Sequence, residues 1–181
     1  MTKIKLTAPR IINGGPASGG NKIFASLFGI GYLKPVPGTL ASLVIFILGY
    51  FYYQYFSLAS ALIILIILII ISYFSIKQLT GPPSKNRRVK GDHSINQIVK
   101  YSNVSDPSWI VIDEVLGSIL ILIFIPYSIT SFIVAFLIFR LFDGQKIWPI
   151  NLLDKIKTPL GVIIDDLGAG IIVILITNLM F

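Results

Sequence analysis

The chain contains no cysteine, one histidine and little charge: Asp, Glu, Lys and Arg make up 13% of its 181 residues, against 55% hydrophobic. Without a thiol there are no disulfides, no thiolate zinc sites and no cysteine nucleophile. The lone His93 lies in a basic loop, where a solvated side chain is expected. With no second histidine, covalent phosphohistidine chemistry has little to rest on. The N-terminal stretch MTKIKLTAPRIINGGPASGGNK has basic residues but no apolar run behind them, so it does not read as a signal peptide. GGPASGGNK, Gly14 to Lys22, is a decoy for a phosphate-binding loop. Asn21 separates its last glycine from Lys22, no Ser or Thr follows, and no strand precedes it.

What the chain has in abundance is apolar sequence. A mean hydropathy of +0.85 lies outside the range of ordinary soluble domains and indicates an integral membrane protein. ALIILIILIIISYF, Ala61 to Phe74, carries no ionisable charge, and with its flanks it exceeds the ~20 apolar residues that span a bilayer as a helix. Five spans are expected, at Thr39 to Tyr55, Leu58 to Ile76, Trp109 to Ile125, Ser128 to Leu141 and Ile164 to Phe181. The fold class is therefore all-α, a polytopic membrane helical bundle. Residues 1–27 read as a flexible cytoplasmic arm, and 28–181 as a single membrane-embedded domain with a basic cytoplasmic loop at about 77–108.

A net charge of +7 in a soluble protein would suggest nucleic acid. In a membrane protein it reflects the excess of Lys and Arg in cytoplasmic loops, and no nucleic-acid partner is expected. All fifteen Lys and Arg fall before the first span, between the second and third, or around the junction of the fourth and fifth. Five spans thus place every cation on one side, with the N-terminus in the cytoplasm and the C-terminus outside. The carboxylates keep to the same side. Such asymmetry implies a polar centre at the cytoplasmic membrane face rather than a charged path across the bilayer.

Five carboxylates stand at the expected helix ends, in IDEVLG (Asp113, Glu114), FRLFDGQK (Asp143) and GVIIDDLGAG (Asp165, Asp166). Carboxylates inside hydrocarbon are costly and usually functional. Packed helices would converge several of these oxygens on one hard cation such as Mg²⁺. Alternatively, some of them cap helix N-termini. Arg140 shares a helical face with Asp143, either as a local salt bridge or, with Lys146, as a phosphate clamp beside a metal. FGIGYLKPVPGTLAS, Phe28 to Ser42, is either a plain turn or a shaped loop offering Lys34, Thr39 and backbone N–H groups to an anion. Gly117, Gly168, Ala169 and Gly170 are small enough to let the acidic helices approach closely.

GIGYLKPVPGT, DPSWIVIDEVLG, FRLFDGQKIWPI and GVIIDDLGAG, in that order, resemble the phosphatidylglycerophosphatase A family over about Phe28 to Gly170. The resemblance implies an all-helical, Mg²⁺-dependent enzyme of the bacterial inner membrane that hydrolyses phosphatidylglycerophosphate to phosphatidylglycerol and phosphate. Catalytic and metal roles then fall to Asp113, Glu114, Asp143, Asp165 and Asp166, and phosphate binding to Lys34, Thr39, Arg140 and Lys146. The chain departs from the family pattern at Ala41, Ile147, Thr158 and Pro159, while the charged motif residues are retained. A headgroup transferase of the CDP-alcohol phosphotransferase kind would also use Mg²⁺ and membrane-edge aspartates, but FDGQK is only a fragment of its motif. A small carrier would place polar residues in mid-span, where these spans are bare.

Overall fold

The computed structural model describes residues 19–33, 35–52, 55, 57–80, 108–145, 148–153 and 158–181. These form α1 (Gly19–Ala25), a 3-10 turn (Ile30–Tyr32), α2 (Pro37–Tyr52), α3 (Leu58–Thr80), α4 (Ile112–Phe124), α5 (Ile129–Gln145), α6 (Ile150–Leu153) and α7 (Pro159–Met180), with no strand among the described residues. Each of the five longer helices overlaps one of the five expected spans. Two of them, α3 and α7, are long and apolar enough to cross a membrane.

At a rise of ~1.5 Å per residue α3 is about 34 Å long, more than the ~30 Å hydrocarbon core of a bilayer. Its side chains do not turn inward as they would in a soluble core: Ile63, Ile66, Ile67 and Ile70 are all at least half exposed. By contrast α4, with thirteen residues, reaches only about 20 Å. It is the most enclosed helix, packed against α2, α3, α5 and α7, and Ile112, Val115, Leu116, Ile121 and Leu122 are buried along it. Backbone sheathed by protein does not need to match bilayer thickness.

Several helix boundaries differ from the sequence expectation by three to five residues, and two of these bear on the acidic motifs. The last helix was expected from Ile164 but begins at Pro159, because Thr158 caps it: its Oγ1 accepts from Gly161 N at 3.1 Å, and Pro at the first position is pre-set for the helix. The fourth was expected to stop at Leu141 but runs on to Gln145, which carries Asp143 within its last turn. Part of the expected N-terminal arm is also ordered, as α1 packs on α3 and the buried Ala25 accepts a hydrogen bond from Val111 N at 2.9 Å.

The bundle has two unlike ends. α2, α4 and α7 start, and α3 and α5 finish, at the end that carries Lys77, Asp113, Glu114, Arg140, Asp143, Asp165 and Asp166. At the other end the contacts are neutral. Tyr127 Oη donates to Tyr50 O at 3.2 Å with the two rings stacked, and Asn178 Nδ2 donates to Phe124 O at 2.9 Å, capping the C-terminus of α4 from α7. The one-sided charge read from the sequence is therefore a property of the packed molecule among the described residues.

Candidate active site

The acidic end is assembled by close backbone contact rather than by ion pairing. A Cβ on Gly117 would lie 2.9 Å from Asp166 O, and one on Gly170 would lie 3.3 Å from Gly117 O. α4 and α7 therefore touch backbone to backbone, which brings Asp113 and Glu114 in the first turn of α4 level with Asp166 in the second turn of α7. Gly168, expected from sequence to serve the same contact, instead faces Leu153 of α6.

One carboxylate oxygen each from Asp113, Glu114 and Asp166 lies within 4.8 Å of the other two. Asp143 is near enough for its charge to act on both Glu114 and Asp166. Asp165, beside Asp166 on α7, accepts a hydrogen bond from Asp166 N through Oδ1 at 3.2 Å. The four aspartates are nearly inaccessible, with Asp113 5%, Asp143 7%, Asp165 6% and Asp166 2% exposed.

None of these residues is a helix cap. Val111 occupies that position in α4 without a side-chain cap, and Thr158 occupies it in α7; Asp165 and Asp166 lie past the first turn of α7, whereas Asp113 and Glu114 lie in the first turn of α4, where the helix dipole also favours a carboxylate.

Among the described residues, the cation facing this group is Arg140. Its Nη1 lies 2.7 Å from Asp143 Oδ2, one helical turn along α5, and donates to Ser42 Oγ of α2 at 3.4 Å. Ser42 in turn donates to Gly38 O at 2.8 Å. The local salt bridge that the sequence offered as one reading of Arg140 is thus present. Thr39 lies in the first turn of α2, half-buried. Lys34 and Lys146 lie outside the described residues, as do most of the basic loop and residues 1–18 of the arm.

Among the described residues, five carboxylates against one guanidinium leave a large excess of negative charge. Two like charges 4 Å apart repel by about 4 kcal/mol at an effective dielectric of 20. Two oxygens, Glu114 Oε2 and Asp166 Oδ2, are buried with no hydrogen-bond partner. Buried polar atoms without partners are rare and point to a missing ligand or ion. An all-oxygen donor set with no sulfur or imidazole suits a hard cation, Mg²⁺ or Ca²⁺, over zinc or copper. The residues present therefore fit the metal implied by the sequence resemblance.

A family model described as phosphatidylglycerophosphatase A matches residues 89–181, just over half of the chain. The chain belongs to the phosphatidylglycerophosphatase A family. A curated member of that name from Escherichia coli (strain K12) is 36% identical over 84 residues, which is 45% of this chain and 49% of that protein. The match thus spans about half the length of the curated relative. No solved structure matches the chain. The family match includes all five carboxylates and Arg140 but begins after α3. The GIGYLKPVPGT stretch, read from sequence as part of the resemblance, lies outside it. That stretch reaches the site in space instead, through Gly38 against Glu114, and α2 continues from it to Ser42 against Arg140. Ser42 was missed by the sequence reading. Its one signal is a position four residues after Gly38, on the same face of α2.

Proposed function

We propose that the protein is a membrane-embedded, Mg²⁺-dependent phosphatase that converts phosphatidylglycerophosphate to phosphatidylglycerol and inorganic phosphate in bacterial phospholipid synthesis. The observation that carries this reading is the convergence of Asp113, Glu114 and Asp166 on one point, with Arg140 and Asp143 alongside. Five inner-membrane crossings, with the N-terminus and the acidic end cytoplasmic and the C-terminus outside, follow from the one-sided distribution of the fifteen cations. The headgroup enters from that face while the acyl chains stay along the apolar flanks of the bundle.

Asp113, Glu114 and Asp166 would hold the metal, with Asp143 and Asp165 completing the acidic surround. Bound there, Mg²⁺ supplies charge neutralisation and polarisation at the phosphoryl oxygens. Arg140 is steadied on one edge by Asp143 and Ser42, and its Nε is buried without a partner. That N–H faces a phosphate oxygen in this reading, and guanidinium geometry suits the contact. Lys34, Thr39 and Lys146 add donors from the two flanking segments. A carboxylate of the cluster takes the proton of the attacking water, and the apolar packing of α4 excludes bulk solvent from the reaction.

The test is release of inorganic phosphate from phosphatidylglycerophosphate by the purified protein in detergent. Release should require Mg²⁺, stop with EDTA and return when Mg²⁺ is restored in excess. Release indifferent to chelation would remove the metal from the reading; transfer of a headgroup without phosphate release would replace phosphatase by phosphotransferase.

A further inference from the structure

The first turn of α2 touches both partners of the site, yet nothing in its sequence is charged. Gly38 is buried there, and a Cβ built on it would lie 1.9 Å from Glu114 Oε1, 2.8 Å from Cδ and 3.4 Å from Cγ. The end of the Glu114 side chain thus lies directly on the bare Cα of residue 38. Four residues on, Ser42 ties the same turn to Arg140. Glu114 Oε2 is buried with no hydrogen-bond partner, so the open space over Gly38 helps to set where this flexible carboxylate points.

We propose that Gly38 is a positioning residue: its missing side chain leaves the space in which the Glu114 carboxylate is set beside Asp113 and Asp166. The inference rests on the metal-dependent reading above and adds to it a residue outside the family match. An alanine at position 38 drives Oε1 away by at least 1.5 Å, from 1.9 Å to the 3.4 Å of ordinary contact. The displaced group is the far end of a flexible side chain, so the fold yields there at little cost. The metal-binding geometry does not. Misplacing a reacting group by 1 Å costs on the order of 100-fold in rate. Gly31 is the contrasting case, since a Cβ there would meet the backbone carbonyl of Trp109 at 1.9 Å and an alanine must disturb the fold itself.

The experiment compares wild type, Gly38→Ala, Glu114→Asp and the double variant in detergent, by two readouts. One is the Mg²⁺ concentration at half-maximal thermal stabilisation, with the metal alone and no lipid; the other is kcat and KM for phosphate release. Gly38→Ala should fold, need at least roughly tenfold more Mg²⁺ and lose about 100-fold in kcat, with KM little changed. In Glu114→Asp the carboxylate carbon stands where Glu114 Cγ does, 3.4 Å from a Cβ on residue 38, so adding Gly38→Ala to that variant should change both readouts far less than it does in wild type. A wild-type Mg²⁺ midpoint in Gly38→Ala overturns the proposal. So does an equal loss in both backgrounds, which would place the effect in the start of α2, and so does failure of both Gly38→Ala proteins to fold. Absence of Mg²⁺ stabilisation in wild type overturns it as well. A wild type stabilised by Mg²⁺ but inert toward phosphatidylglycerophosphate refutes the lipid assignment alone, and the stabilisation measurements still decide the role of Gly38.

Discussion

Gly117→Ala tests whether backbone contact between α4 and α7 builds the acidic centre. The added Cβ would lie 2.9 Å from Asp166 O and 2.8 Å from Phe139 Cζ, against an ordinary contact of 3.4 Å. α7 and the Phe139 ring must each retreat by about half an ångström. Neither has room: one obstacle is backbone, and Phe139 is fully buried. Overpacking of this kind costs about 1–3 kcal/mol, offset by a helix-propensity gain of up to ~1 kcal/mol for Gly to Ala. Gly168→Ala on α7 shares that gain but meets chiefly Leu153 Cδ1, at 2.5 Å, the movable tip of a half-buried side chain. Subtracting one variant from the other cancels propensity and leaves a packing difference of about 1–3 kcal/mol. At ~2–4 °C per kcal/mol for a chain of this size, Gly117→Ala should unfold several degrees below Gly168→Ala in the same detergent. Its turnover should fall too, by roughly tenfold, since Asp166 moves with its carbonyl and a 1 Å error costs ~100-fold. Equal unfolding temperatures together with unchanged turnover would refute the contact as the organiser of the site.

Asp166→Asn removes one member of the converging trio, so Mg²⁺-dependent stabilisation and phosphate release should fall by more than the ~10–100-fold typical of an outer-shell loss. Asp165→Asn keeps the acceptor that Asp166 N uses and should stay within that ~10–100-fold range; matching losses, measured by Mg²⁺ titration of unfolding and of turnover, would make the two aspartates equal ligands. A reporter fused after Phe181 should be active only outside the cytoplasm, and activity in the cytoplasm would rule out five crossings.

The five longer helices were legible because each contains a long apolar run. α3 and α7 declare themselves by length, and α4 by its acidic first turn. The aspartate pair was legible as chemistry, but its place in the helix was not. The last span was expected only from Ile164, and the preceding TPLG joins it once Thr158 and Pro159 are seen as cap and first residue. α1 and α6 span seven and four residues and owe their helicity to the partners they pack on, so no local period announces them. The contacts that assemble the site were the least legible. Ser42 and Arg140 are 98 residues apart, and the fit of Glu114 onto Gly38 depends on the register of two helices joined through α3 and its following loop. Apolar patterning specifies which side chains face inward; it does not specify which glycine lies opposite which carboxylate.

The bond from Asn178 to the last carbonyl of α4 has a practical side. Phe124 O belongs to the far end of a helix whose beginning carries the acidic centre, and the amide that covers it comes from a residue only three positions before Phe181. The contact is exposed, and an ordinary hydrogen bond of this kind contributes about 0.5–1.5 kcal/mol. An affinity handle or fusion partner belongs beyond Phe181, with the final residues intact; one that replaces them strips the clasp at one tip of α4 and loosens the helix that bears Asp113 and Glu114 at the other.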